Sequence, residues 1–154
     1  MLRKLLGLKP KASIYSQAMP QTEGALELTY LGTAGFILKN KQRTVVLDPY
    51  LSRVGVTELF RPLHTNTALL KKYIPHADDV LIGHAHYDHI LDAPDLCKQT
   101  GARLIGSKAT CMVGRAAGLP ESQLKETEGR EDIACGSWTV RGLPSIHGKA
   151  IFGR

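Results

Sequence analysis

The alternation of hydrophobic and polar positions changes period several times along the chain, and each change marks an element. Residues 25–30, Ala-Leu-Glu-Leu-Thr-Tyr, alternate with period two and predict a half-buried strand. Gly32-Thr33-Ala34-Gly35 makes a turn and Phe36-Ile37-Leu38 returns as a second strand. After the polar turn 39–43, residues 44–47 form a third strand that ends at Asp48-Pro49, giving a three-strand meander. Residues 52–67 show no period; a short helix follows over 66–73, with a polar start at Thr65-Asn66 and a stop at Pro75. Residues 79–83 are the next strand, buried to judge by Val80-Leu81-Ile82, and Gly83 lets the backbone leave it. A helix through about Lys98 is stopped by Gly101, a strand covers 102–105, and a helix covers 107–117 with Ser107 as cap and Gly118 as stop. Residues 124–127 and 137–142 add a further pair of strands, with Gly129 and Gly136 in the connections, and Trp138, the one tryptophan, is expected to pack inside. Strand, helix, strand, helix in this order is an α/β layering.

Composition narrows the class without deciding it. The 154 residues allow one domain, and 43% hydrophobic with 22% charged residues is ordinary globular usage. The reading divides the chain into an irregular lead-in, 1–24, and a domain, 25–154. A net charge of +6 favours an anionic substrate or surface, although Arg3, Lys4, Lys9 and Lys11 carry part of it. With aromatics at 6%, the interleaved basic and aromatic stripe of a nucleic-acid binder is missing, and no nucleic-acid partner is expected. Leu5-Leu6-Gly7-Leu8 is too short for a secretory core or a transmembrane segment. Cys97, Cys111 and Cys135 are odd in number and lack CxxC spacing, so buried free thiols in a reducing, cytoplasmic setting are expected.

The chemistry is concentrated in His84-Ala85-His86-Tyr87-Asp88-His89, at the end of the buried strand. His84 and His86 are two residues apart, so in extended backbone they leave one face and converge on one ion. Asp88 and His89 follow after a turn and offer an oxygen and a nitrogen to a second ion. Imidazole and carboxylate suit Zn²⁺, one ion or two, and also suit Mn²⁺ or Fe²⁺. Asp48, ahead of a proline, reads as a turn-initiating residue, and Asp92 as an N-cap for the helix that Ala93-Pro94 begins. Arg53 and Arg61 read as solvated loop residues, and His64 and His76 lack a partner at ligand spacing.

The run 84–89 resembles the HxHxDH signature of the metallo-β-lactamase fold hydrolases. The stretches 31–36 and 45–51, and Ser145-Ile146-His147-Gly148, also resemble that superfamily, most of all its branch containing L-ascorbate-6-phosphate lactonase and N-acyl-phosphatidylethanolamine phospholipase D. The resemblance covers roughly residues 26–147. It implies an αββα sandwich of which this chain supplies about the first half, and His147 as third nitrogen ligand beside His84 and His86. Three protein ligands leave an open fourth position, the catalytic pattern. Asp88 would bind metal and orient the nucleophile, and Asp48 would support the site from below by hydrogen bonding. Asp92 extends the pattern to HxHxDHxxD, with a supporting or helix-start role. Arg53 or Arg61 would lie on loops bordering the site, where they could hold an anionic group. The implied activity is metal-dependent hydrolysis of an ester, lactone or phosphodiester in a small-molecule or lipid-like substrate. A nuclease of this superfamily would need an inserted nucleic-acid domain, and none is visible.

The sequence departs from the family in lacking the bridging aspartate and last histidine of a second half, since it stops at Arg154. The sheet face that should meet that half is expected to be open. Three explanations follow: a fragment of a longer enzyme, a second half on another polypeptide, or a homodimer of facing halves. The alternative to a hydrolase is a metal-binding but catalytically silent module or partner subunit.

Overall fold

The computed structural model describes residues 24–55, 58 and 61–144. The expected lead-in and His147 fall outside them.

Strands β1 (Glu27–Gly32), β2 (Gly35–Lys39) and β3 (Thr44–Leu47) form the predicted antiparallel meander. Helix α1 (Thr67–Tyr73) then starts where Asn66 accepts the Leu69 amide, at 3.2 Å, and leads into β4 (Asp79–Leu81). Next come a short helix α2 (Tyr87–Ile90), α3 (Ala93–Thr100), β5 (Arg103–Gly106), α4 (Lys108–Ala116) and β6 (Leu124–Glu126). One six-stranded sheet results, in order β1-β2-β3-β4-β5-β6, antiparallel up to β3 and parallel from there on. This is an α/β architecture with a mixed sheet.

Two expectations are corrected. Residues 124–127 and 137–142 do not pair with each other: β6 closes the parallel side of the large sheet. The second segment, β8 (Trp138–Arg141), pairs instead with β7 (Asp132–Cys135) as a separate hairpin. Strand β7 escaped notice because its inward residues, Ile133 and Cys135, alternate with Asp132 and Ala134 over only four positions. Asp88 and His89, expected to follow a turn, lie instead on helix α2.

Each face of the sheet has its own cover. Val46, Val80 and Leu104, 0% exposed, pack with Leu70 and Ile74 around α1 and with Leu96 and Cys97 of α3. Burial pushes the Cys97 thiol up to about 12, so it stays protonated and apolar, and Cys111 and Cys135 are likewise free and buried. On the opposite face the hairpin sets Ile133, Cys135, Trp138 and Val140 against Leu81 and Ile105. Between hairpin and sheet, the buried Asp79 carboxylate accepts Arg43 Nε at 2.9 Å and Arg103 Nε at 2.7 Å. Arg103 Nη2 also donates to the Ala134 carbonyl at 2.9 Å, which fastens β7 down. Farther along, Leu28 and Tyr30 of β1, which pair with Leu38 and Phe36, are 60% and 62% exposed.

The approach of α4 to the sheet is set by Gly114, where an added Cβ would come within 2.8 Å of both Leu104 Cδ2 and Leu124 Cδ2. Leu104 has nowhere to retreat. Overpacking costs roughly 1–3 kcal/mol against the ~1 kcal/mol that alanine gains over glycine in a helix. Gly114→Ala is therefore expected to lower stability by about 1 kcal/mol, seen as a fall in the urea midpoint at constant m-value. Among the described residues, no helix is long and apolar enough to cross a membrane.

Candidate metal centre

The candidate ligands sit where the parallel strands end, on the loops that leave β3 and β4. The Asp48 amide donates to the Leu81 carbonyl at 3.0 Å, extending the β3–β4 ladder by one bond before the chain turns at φ +40°. That turn aims the Asp48 carboxylate across at the second loop. Its Oδ1 accepts the Gly83 amide at 2.8 Å, and its Oδ2 lies 3.0 Å from His89 Nδ1. A Cβ on Gly83 would meet Asp48 Oδ2 at 3.2 Å, so the glycine is where the loop passes closely over the carboxylate. The sequence allows two readings of Asp48; in the structure it stands at the turn and its carboxylate contacts the second loop.

His84 and His86 converge as their spacing requires. His84 Nε2 and His86 Nδ1 stand 3.0 Å apart, and the His84 and His89 rings lie 4.0 Å between centroids. Asp88, its side chain 37% exposed, brings Oδ2 to 3.7 Å from His89 Nε2. His89 Nδ1 is buried, and although the Asp48 oxygen is at hydrogen-bond distance, the angle does not make a hydrogen bond.

The remaining candidates are dispersed. Asp92 stands at the N-cap position of α3 but makes no capping bond. Its carboxylate is 0% exposed and reaches back to the loop after β3, accepting Leu51 N at 2.6 Å, Ser52 N at 2.8 Å and the Ser52 hydroxyl at 2.5 Å. The N-cap expectation fails because the helix starts in αR backbone at Asp92, which turns the side chain away from its own amides. Arg53 Nη2 donates to the Leu31 carbonyl at 2.7 Å and occupies the space a side chain on Gly32 would need. Arg61 is exposed, its amide bonded to the Glu58 carbonyl, and neither arginine is held against the histidines. Two residues near the site had no signal in the sequence. Ser52 accepts the Asn66 amide at 2.6 Å while donating to Asp92, and buried Tyr50 stacks edge-on with Tyr87 at 6.0 Å. An isolated serine on an aperiodic loop carries no pattern to find, and nothing in the stretch 45–51 singles out Tyr50.

Does this donor set fit a metal ion? Two nitrogens each about 2.0–2.1 Å from a tetrahedral ion stand roughly 3.3 Å apart, close to the His84–His86 separation. His89 Nδ1 faces the Asp48 carboxylate at 3.0 Å, which leaves its Nε2, 3.7 Å from Asp88 Oδ2, as the ring nitrogen an ion could take. Among the described residues, no set of three or more His, Cys, Asp or Glu side chains is arranged to hold an ion by itself. The fit therefore rests on the His84–His86 pair, with His147 outside the described residues.

Comparison with known proteins gives concordant results. A family described as "Beta-lactamase superfamily domain" matches residues 43–153. A UPF0173 metal-dependent hydrolase of Thermodesulfovibrio yellowstonii is 33% identical over 138 residues, covering 83% of this chain and 48% of the relative. Another, from Anaeromyxobacter sp. (strain K), is 36% identical over 101 residues, 65% of this chain and 34% of the relative. The chain thus spans about half the length of such curated relatives, or less. Among solved structures, Igni18, a metallo hydrolase from Ignicoccus hospitalis, is similar at 25% identity and TM-score 0.51, over 71% of this chain and 42% of that one. The diiron beta-hydroxylase CmlA from Streptomyces venezuelae shares the fold, at TM-score 0.59 and 24% identity, over 83% of this chain and 25% of its own.

Proposed function

Because the chain belongs to the beta-lactamase superfamily domain family, we infer that it carries the metal-binding half of a metal-dependent hydrolase, acting on an ester, lactone or phosphodiester. The observation that carries this reading is the 3.0 Å approach of His84 Nε2 to His86 Nδ1, beside His89 held at 3.0 Å from Asp48.

In this reading His84 and His86 hold one Zn²⁺, with His147 as third ligand, and Asp88 with His89 faces a second position. Mn²⁺ or Fe²⁺ would suit the same donors. A bound divalent ion supplies Lewis acidity at a carbonyl or phosphoryl oxygen and makes water acidic enough to react near neutral pH. The chain's own residues do the placing. Asp88, partly exposed, would help hold the ion and orient the attacking water, while Asp48 would keep His89 turned inward. Arg53 and Arg61 are the candidates for holding an anionic group of a small-molecule or lipid-like substrate, and Arg53 would first have to leave the Leu31 carbonyl. The free, buried cysteines favour a cytoplasmic, reducing setting.

Elemental analysis of purified protein tests the core of this. About one zinc per chain is expected, falling to background in His84→Ala while the circular dichroism holds. A folded wild-type chain that takes up no metal from a zinc-supplemented buffer overturns the reading. A second reading, a metal-binding but catalytically silent module or subunit, rests on the same His84–His86 pair. It predicts zinc uptake with no hydrolysis of 4-nitrophenyl acetate or bis(4-nitrophenyl) phosphate.

A further inference from the structure

The loops after β3 and β4 are tied to each other twice, by carboxylates running in opposite directions. From the β3 loop, Asp48 reaches Gly83 N and the vicinity of His89 Nδ1. From the segment after β4, Asp92, three residues beyond His89, reaches back to Leu51 N, Ser52 N and Ser52 Oγ. We propose that Asp92 is a positioning residue of the metal centre: it clamps the loop 49–55 to the helix pair carrying His89, and so fixes where Asp48 meets that histidine. The proposal rests on the metal-binding reading above.

Three observations carry it. First, Asp92 is 0% exposed, and among the described residues its carboxylate bonds to Leu51 and Ser52 rather than to a candidate ligand. A buried carboxylate is costly unless it is well bonded, and this one is spent on holding a loop. Second, the backbone on either side of Leu51 and Ser52 is unfavourable, with Asp48 at φ +40° and Arg53 at φ +44°. Such conformations persist only where the surroundings over-determine them, and Asp92 grips the loop between the two. Third, the clamp is relayed. Ser52 Oγ donates to Asp92 while accepting the Asn66 amide, and Thr65 Oγ1 donates to the Leu91 carbonyl at 3.0 Å. The start of α1 is therefore drawn into the same knot as the start of α3.

A residue of this kind acts through others, so its test needs a readout that simple loss of stability would not move. Asp92→Asn keeps shape and one oxygen; Ser52→Ala removes only the relay hydroxyl and serves if the first variant does not fold. Zinc affinity is measured against a competing chelator, and the ¹⁵N ring resonances of His89 are recorded on metal-free protein. We expect Asp92→Asn to weaken zinc binding about tenfold or more, Ser52→Ala to weaken it less, and both to shift the His89 resonances. Asp95→Asn, on the exposed Lys98 pair of α3, should change neither. Folded variants with wild-type zinc affinity and unmoved His89 resonances overturn the proposal. If the wild-type chain binds no zinc, the metal reading fails, and the His89 resonances alone still decide whether Asp92 sets that ring.

Discussion

Asp79→Ala should cost about 3 kcal/mol, enough to lower the melting temperature by roughly 6–12 °C in a domain of this size. Asp79 is 0% exposed at the start of the central strand β4, and it receives both Arg43 and Arg103 on the sheet face that the hairpin covers. Removing one partner of a buried ion pair typically costs about 3–5 kcal/mol because it strands the other charge. Here the stranded groups are arginines with 24% and 36% of their side chains exposed, so water takes up part of the loss and the lower end applies. The damage should also be local in character. Arg103 loses the carboxylate that aims it at the Ala134 carbonyl, and the hairpin loses its polar anchor while keeping the contacts of Ile133, Cys135 and Trp138. Hydrogen exchange should therefore rise first at β7 and β8. Asp132→Ala, which breaks the exposed Arg141 pair within that hairpin, is the control and should leave the melt in place. A calorimetric melt of Asp79→Ala within about 2 °C of wild type would mean that the triad is a surface ornament.

Neither arginine drew attention in the sequence, and the reason is physical. Arg43 closes a polar turn and Arg103 opens a short strand, both ordinary places for a solvated cation. Only the pairing of Asp79 with Arg103 and of Val45 with Asp79, across crossovers that no local pattern encodes, puts them at one carboxylate. Elements whose pattern is local were legible. The meander, α1 with its Asn66 cap, α3 ending at Gly101 and α4 with its Ser107 cap all lie within a residue or two of expectation. Strand β7 was not, since four residues do not make a period. The candidate site divides the same way. The convergence of His84 and His86 follows from spacing alone, whereas the back-reach of Asp92 depends on where the β3 loop lies in space, and from sequence it resembles a cap. Membership of the family, read from the run 84–89, is matched over residues 43–153.

The two readings of Asp48, turn former or support for the metal centre, separate in a pair of substitutions. At φ +40° an L-residue is strained by roughly 1–2 kcal/mol, and asparagine and aspartate tolerate that region best. Asp48→Asn therefore keeps the turn, and its remaining oxygen can still accept the Gly83 amide. What it changes is Oδ2, replaced by an amide NH₂ 3.0 Å from His89 Nδ1. Asp48→Ala loses the acceptor and the tolerance together. If Asp48 only makes the turn, alanine lowers stability by about 1–2 kcal/mol, asparagine does nothing, and zinc binding is unaffected in both folded proteins. If it supports the centre, both variants weaken zinc binding by about 10–100-fold, the alanine variant alone melting early. The second outcome is expected, because the carboxylate is only 14% exposed and is turned away from its own loop toward His89. A turn residue with no other task would leave its oxygens in water. Chelator competition and a thermal melt on the same two proteins therefore distinguish a backbone preference from a group that holds a ligand in place.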